Sequence, residues 1–136
     1  MASIVRDIII DAPPAAAWAA LRDFAAVHER LAPGFVVAAE SVDDDTRVVT
    51  FANGAVAREV LVGVDDEHHR LAYTVVESAL GASHHNAAAQ VCARADGGTR
   101  FVWTTDVLPD TVAPWIAEMM ELGLGVIKTT LESAGT

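Results

Sequence analysis

Four side chains in the middle of the chain have the types that acid–base chemistry or a polar clamp on a bound molecule needs: Arg47, Glu59, Glu77 and His85. Arg47 and Glu59 flank the turn signal Asn53-Gly54. A two-residue type I′ loop pairs Ala52 with Ala55 and puts the two charges on opposite faces. A three-residue loop, Ala52-Asn53-Gly54 with Gly54 in the left-handed region, pairs Phe51 with Ala55. The second is favoured, because it sets Arg47 directly across from Glu59, with Val49, Phe51, Ala57 and Leu61 on the same face. The first leaves both charges without a cross-strand partner. In the favoured register Arg47 can clamp a carboxylate, enolate or phenolate of a bound molecule, or form a structural cross-strand pair. Glu77 and His85 fall on successive strands near a short connection. A partly buried histidine beside a carboxylate works as a general base near neutral pH; the alternative is a hydrogen-bonded rim pair. An inward Tyr73 can donate to a carbonyl oxygen.

The elements that must position these groups are legible from periodicity. Residues 3–11 are β-branched and read as a strand. Asp11 before Ala12-Pro13-Pro14 reads as an acidic N-cap with proline in the first turn of a helix over 14–23. That helix carries Ala17, Trp18, Leu21 and Phe24 on one stripe. A second short helix over 25–31 closes at Ala32-Pro33-Gly34. From Phe35 the period becomes two, giving strands over 35–43, 46–52, 55–64, 71–78, 83–94 and 99–108 joined by turn chemistry, and hence antiparallel neighbours. Alternation turns His85, Ala87, Ala89, Val91 and Ala93 inward on one strand, and Phe101, Trp103, Thr105 and Val107 on the next. On the strand before them, Leu71, Tyr73, Val75 and Glu77 are the inward set. A last helix over 111–133 has an apolar stripe through Val112, Trp115, Ile116, Met119, Met120, Leu122, Val126, Ile127 and Leu131. One long amphipathic helix against a large antiparallel sheet is an α+β layer solution.

Composition narrows the partners. The chain has 136 residues, a length that suits one domain over 1–136. Its 9 basic and 19 acidic residues give a net charge of −10, which argues against nucleic acid or an anionic membrane as the main partner. Cys92 is the only cysteine, so no internal disulfide forms. No uninterrupted apolar run approaches the roughly 18 residues of a membrane span, and charges come too early in the first residues for a signal peptide. A cytoplasmic protein without integral membrane association is expected. No histidine pair has the helical spacing of a zinc site, and no phosphate-binding loop, dinucleotide fingerprint or serine elbow is present, so neither metal nor cofactor is expected. Hydrophobic residues nevertheless make up 52% of the chain, and many are alanines on inward positions.

The order strand, two short helices, six antiparallel strands and a long C-terminal helix is the helix-grip layout. The sequence resembles the START-like (Bet v 1-like, SRPBCC) superfamily, and within it the single-domain polyketide cyclase/dehydrase group. The likeness is carried by Ile8-Ile9-Ile10-Asp11-Ala12-Pro13 followed by Trp18 and Arg22-Asp23-Phe24. Arg47 with Asn53-Gly54, Arg58-Glu59-Val60-Leu61 and Asp65-Asp66 continue it, as do Tyr73 with Glu77 and Gly98-Thr99-Arg100-Phe101-Val102-Trp103. Two positions depart from the pattern: Leu31-Ala32 stands where a tryptophan often precedes the Pro-Gly, and His85 where an aromatic is common.

The resemblance implies a seven-stranded antiparallel sheet wrapped around the C-terminal helix, with a cavity between them for a small hydrophobic molecule such as a lipid, polyketide or aromatic compound. Its expected lining is Trp18, Phe51, Tyr73, Val75, Trp103 and Thr105 from the first helix and the sheet. Trp115, Met119, Met120 and Gly123 are expected from the long helix, where Gly123 and Gly125 leave room. Plain binding ranks above catalysis, because no motif has a uniquely catalytic spacing. If the protein is an enzyme, the resemblance implies cofactor-free cyclisation or dehydration of a carbonyl substrate, with Arg47, Glu59, Tyr73, Glu77 and His85 as acid–base or oxyanion groups. A third reading is an interaction module with a filled cavity and an exposed apolar patch around Val60, Val62 and Val64. Oligomeric state, a homodimer included, stays open.

Overall fold

In the computed structural model, which describes residues 1–134, each strand expected from period-two alternation is present. The order is β1 (Ala2–Ile10), α1 (Pro14–Arg22), a 3-10 turn (Phe24–Ala26) and a π-helical turn (Val27–Leu31). Then come β2 (Val36–Ser41), β3 (Thr46–Phe51), β4 (Val56–Asp65), β5 (Arg70–Ser78), β6 (His84–Ala93) and β7 (Thr99–Leu108). A 3-10 turn (Asp110–Val112) leads into α2 (Ala113–Ala134). The strands form one seven-stranded antiparallel sheet in the order β1-β7-β6-β5-β4-β3-β2. Short turns make β2 to β7 a meander, and β1 closes against β7 over its whole length.

The long helix lies along β1. The Lys128 ammonium donates to the Ile9 carbonyl at 2.7 Å, and the Asp11 backbone N–H donates to Glu132 Oε2 at 2.8 Å. These contacts occupy the backbone of the β1 end, which would otherwise be open to a foreign strand. The core lies between the sheet and α2. Phe101 and Leu71 are each only 1% exposed, and such burial contributes roughly 2 kcal/mol per side chain. Thr99, also buried, donates its hydroxyl to the Ala12 carbonyl at 2.8 Å and so fixes the entry to α1.

Three expectations are corrected. The N-cap of α1 is Pro13, not Asp11, and no side chain caps it, because the Asp11 backbone is drawn to Glu132 instead. The second helix is not one α-helix but a 3-10 turn and a π turn, closed by the Ala32 N–H on the Val27 carbonyl at 2.8 Å. On α2, the buried stripe is Ile116, Met120, Gly123, Leu124, Ile127 and Leu131. Trp115 and Leu122 lie roughly 130–150° around the helix from its centre, and are 68% and 60% exposed.

Candidate functional site

Between the inner face of the sheet, α2 and the turns of residues 24–31 lies a cavity of about 120 Å³. Its walls are mostly apolar: Val49, Phe51, Ala57, Leu71, Val75, Ala89 and Phe101 from the sheet, and Ile116, Met119, Met120, Gly123 and Ile127 from α2. Alanines open it. Ala87 stands opposite both Tyr73 and Thr105, and Ala89, which lines the cavity, opposite both Leu71 and Trp103, so β6 contributes only methyl groups to the middle of the sheet. Gly123 allows close approach of the helix, since a Cβ there would sit 3.1 Å from both the Phe35 and Trp103 rings. Gly125 plays no such part; it is exposed, with open space around it.

The hairpin between β3 and β4 takes the three-residue form. Gly54 has φ +86°, and the Phe51 N–H donates to the Ala55 carbonyl at 2.8 Å. Arg47 therefore pairs with Glu59 across the strands. Both side chains are buried, and both line the cavity. Arg47 Nε donates to Glu59 Oε1 at 2.9 Å, and Nη2 lies 2.8 Å from the same oxygen. Nη1 donates to the Phe24 carbonyl at 2.7 Å. The guanidinium also stacks 3.7 Å from the centre of the Phe24 ring. One arginine thus joins two strands to the turn that covers the cavity.

Tyr73, Thr105, Trp103 and His85 supply the other polar groups of the wall, together with Ser78. Burial holds the Tyr73 phenol above its ordinary range, and the Glu59 charge adds to this, so it is a neutral donor. Burial, with His84 adjacent, pushes His85 down to about 4, so its imidazole is neutral near pH 7. His85 Nδ1 and Trp103 Nε1 are both buried and have no well-aligned hydrogen-bond partner in the protein, although the Trp103 N–H lies near enough to the Tyr73 hydroxyl to oppose its upward shift slightly.

The expected dyad of Glu77 with His85 is absent. Val75 pairs with Glu59 and Glu77 with Arg58, so Val76 is an extra residue bulged out of β5. The bulge reverses the alternation beyond it. Ser78 turns into the cavity, while Glu77 is 80% exposed and faces Arg58 at 3.9 Å. Trp18 is buried but lies off the cavity: its indole stacks on His69 at 5.2 Å and donates to Asp66 Oδ1 at 2.9 Å. Trp115 is exposed and lines nothing. The remaining expected lining residues, Phe51, Tyr73, Val75, Trp103, Thr105, Met119, Met120 and Gly123, do line the cavity. His69 is half-buried against Trp18. Sequence reading missed Leu80, whose signal was an apolar side chain inside a turn segment, and Phe35, at the start of a strand just after Pro33-Gly34. Among the described residues no cluster of three or more His, Cys, Asp or Glu side chains could hold a metal, and no helix is long and apolar enough to cross a membrane.

A sheet gripping one long helix around interior space defines a helix-grip protein of the START-like, Bet v 1-like type. The chain belongs to the polyketide cyclase/dehydrase and lipid transport family, whose model matches residues 1–132. Solved structures agree on the fold. An uncharacterised protein from Bacillus thuringiensis has a TM-score of 0.86 at 13% identity, covering 96% of this chain and 98% of that one. Norcoclaurine synthase from Thalictrum flavum, solved with a transition-state analogue, has a TM-score of 0.78 at 19% identity over 99% and 96% of the two chains. A protein from Thermobifida fusca has a TM-score of 0.77 at 24% identity over 97% and 91%. No curated protein matches the chain. Family and fold together support a ligand-binding role.

Proposed function

We propose that the protein binds a small, largely hydrophobic molecule in the cavity between sheet and α2. The observation that carries this reading is the cavity itself, which is walled mostly by apolar side chains yet kept open by alanines at the centre of the sheet. A protein built only for stability fills such space, because an apolar void costs roughly 24 cal/mol per Å³. The wall has the composition of a ligand pocket: predominantly apolar and aromatic, with a few convergent polar groups. Binding ranks above catalysis, since Glu77 stands away from His85 and Glu59, the carboxylate that does face the space, is engaged by Arg47. A filled interaction module is disfavoured by the same cavity, although Val62 is 66% exposed on the outer face.

Native mass spectrometry of the purified protein tests this, joined to thermal shifts over a panel of lipids and aromatic polyketides. A retained small molecule, or a melting temperature raised by a panel member, is the expected result. No adduct and no shift across the panel would count against the reading.

A further inference from the structure

The polar groups of the cavity specify what kind of head a ligand carries. Among the described residues, Arg47 is the only lysine or arginine on the wall. Each of its three guanidinium nitrogens already has a partner, which commits three of the five N–H donors: Nε and Nη2 lie on Glu59 Oε1, and Nη1 on the Phe24 carbonyl. Its charge is cancelled by Glu59, which lines the same space. An incoming carboxylate would meet no free cation and would add a second negative charge beside Glu59, in surroundings where desolvating an ion is costly. An ammonium would face Arg47 with the same difficulty. What the wall does leave open are groups that want a neutral partner. Trp103 Nε1–H is a buried donor without a well-aligned acceptor, the Tyr73 hydroxyl being near it but not bonded to it, and His85 Nδ1 is unpaired as well. Glu59 Oε2 accepts no bond from Arg47, both of whose contacts go to Oε1. A buried polar atom left unmatched is destabilising, so a ligand that satisfies it binds with an advantage over one that does not.

We infer that the cavity selects uncharged molecules bearing a carbonyl or hydroxyl group, with Trp103 and His85 as the specificity-determining residues, and rejects carboxylates such as fatty acids. The internally neutralised Arg47 is a structural strap and not an anion clamp. This inference rests on the ligand-binding reading above and adds the chemistry of the head group.

The test uses four probes on one ring scaffold near pH 7: naphthalene, 2-acetylnaphthalene, 2-naphthol and 2-naphthoate. Affinity is read by calorimetry, and the Trp103 indole N–H by its nitrogen–proton cross-peak, assigned with Trp103→Phe. The ketone and the naphthol are expected to bind at least roughly tenfold more tightly than the naphthoate, the difference of one good hydrogen bond or more. The ketone should also move the Trp103 cross-peak, and Trp103→Phe should erase its advantage over naphthalene. Glu59→Gln frees the Arg47 charge, so naphthoate should then raise the melting temperature of the variant more than that of the wild type. If Glu59→Gln does not fold, the wild-type ranking and Trp103→Phe decide the matter alone. Naphthoate binding the wild type as well as the ketone would overturn the inference and leave ligand binding standing. Naphthalene binding as well as the ketone would do the same. Failure of all four probes, together with no retained molecule and no shift across the panel above, would overturn both.

Discussion

Two arginine–carboxylate pairs tie the first helical segment to the sheet, in opposite surroundings. Arg47 and Glu59 hold the turn at Phe24 from inside, with side chains only 9% and 8% exposed. Arg22 and Asp66 hold α1 to the β4–β5 turn from outside, with side chains 49% and 62% exposed. The contact distance is the same, 2.8 Å in each. The difference is the medium. Water is at hand for either partner of the outer pair, while neither partner of the inner one can be left alone. The outer pair is therefore a tolerant fastening and the inner one an obligatory one, which explains why the inner arginine is not free to recruit a ligand's charge.

The contrast can be broken at its strong end first. Glu59→Ala is expected to cost roughly 3–5 kcal/mol in chemical denaturation, because it strands a buried guanidinium. The double variant Arg47→Met/Glu59→Leu should cost clearly less than this single change, since the charge leaves with its partner. Equal losses for the single and double variants would place the pair's role in packing instead. Next comes the interior histidine. The His85 pKa is depressed in the folded state to about 4, against roughly 6.5 in the unfolded chain. The unfolded state therefore binds the extra proton first. Stability should fall as the pH drops from about 6.5 towards 4, by up to about 3 kcal/mol, and this loss should be complete below that window. The difference between wild type and His85→Leu across the window isolates the term, and parallel curves would refute it.

A smaller effect on stability sharpens the comparison at the cavity. Gly123→Ala gains about 1 kcal/mol of helix propensity but crowds Phe35 and Trp103. The net change should stay within about 1 kcal/mol, while ligand uptake measured by calorimetry drops. The smallest effect belongs to the outer pair. The Arg22 guanidinium and the Trp18 indole hold the Asp66 carboxyl below its ordinary range, so its contribution is present at neutral pH and is lost as the pH falls below the carboxylate range. In Asp66→Asn the amide oxygen can still accept from Trp18, so the melting temperature should move least among these variants, and less still in high salt. A shift as large as that of Glu59→Ala would remove the distinction between the two pairs.

What the sequence made legible follows the strength of local rules. The register of Arg47 against Glu59 could be read because a glycine at positive φ and a cross-strand charge pair point to the same loop. The inward sets of β6 and β7 followed from unbroken alternation. Glu77 was misplaced because the bulge at Val76 carries no glycine or proline to announce it. Trp115 and Leu122 were misplaced because α2 is apolar around more of its circumference than it buries, so periodicity alone did not choose the buried stripe. Trp18 has the expected burial but spends its indole on an ion pair across the chain, a tertiary contact that no local pattern encodes.

The extra residue in β5 acts like a shift of reading frame. Compared with unbroken alternation, the side chains after Val76 change faces, so this single bulge is what keeps an acidic residue out of the interior and puts a serine there in its place. If Val76 instead took an ordinary place in the ladder, Glu77 would swing into a space whose one cation is already taken. A change in how one residue is paired, with no change of sequence, would thus alter the electrical character of the whole chamber.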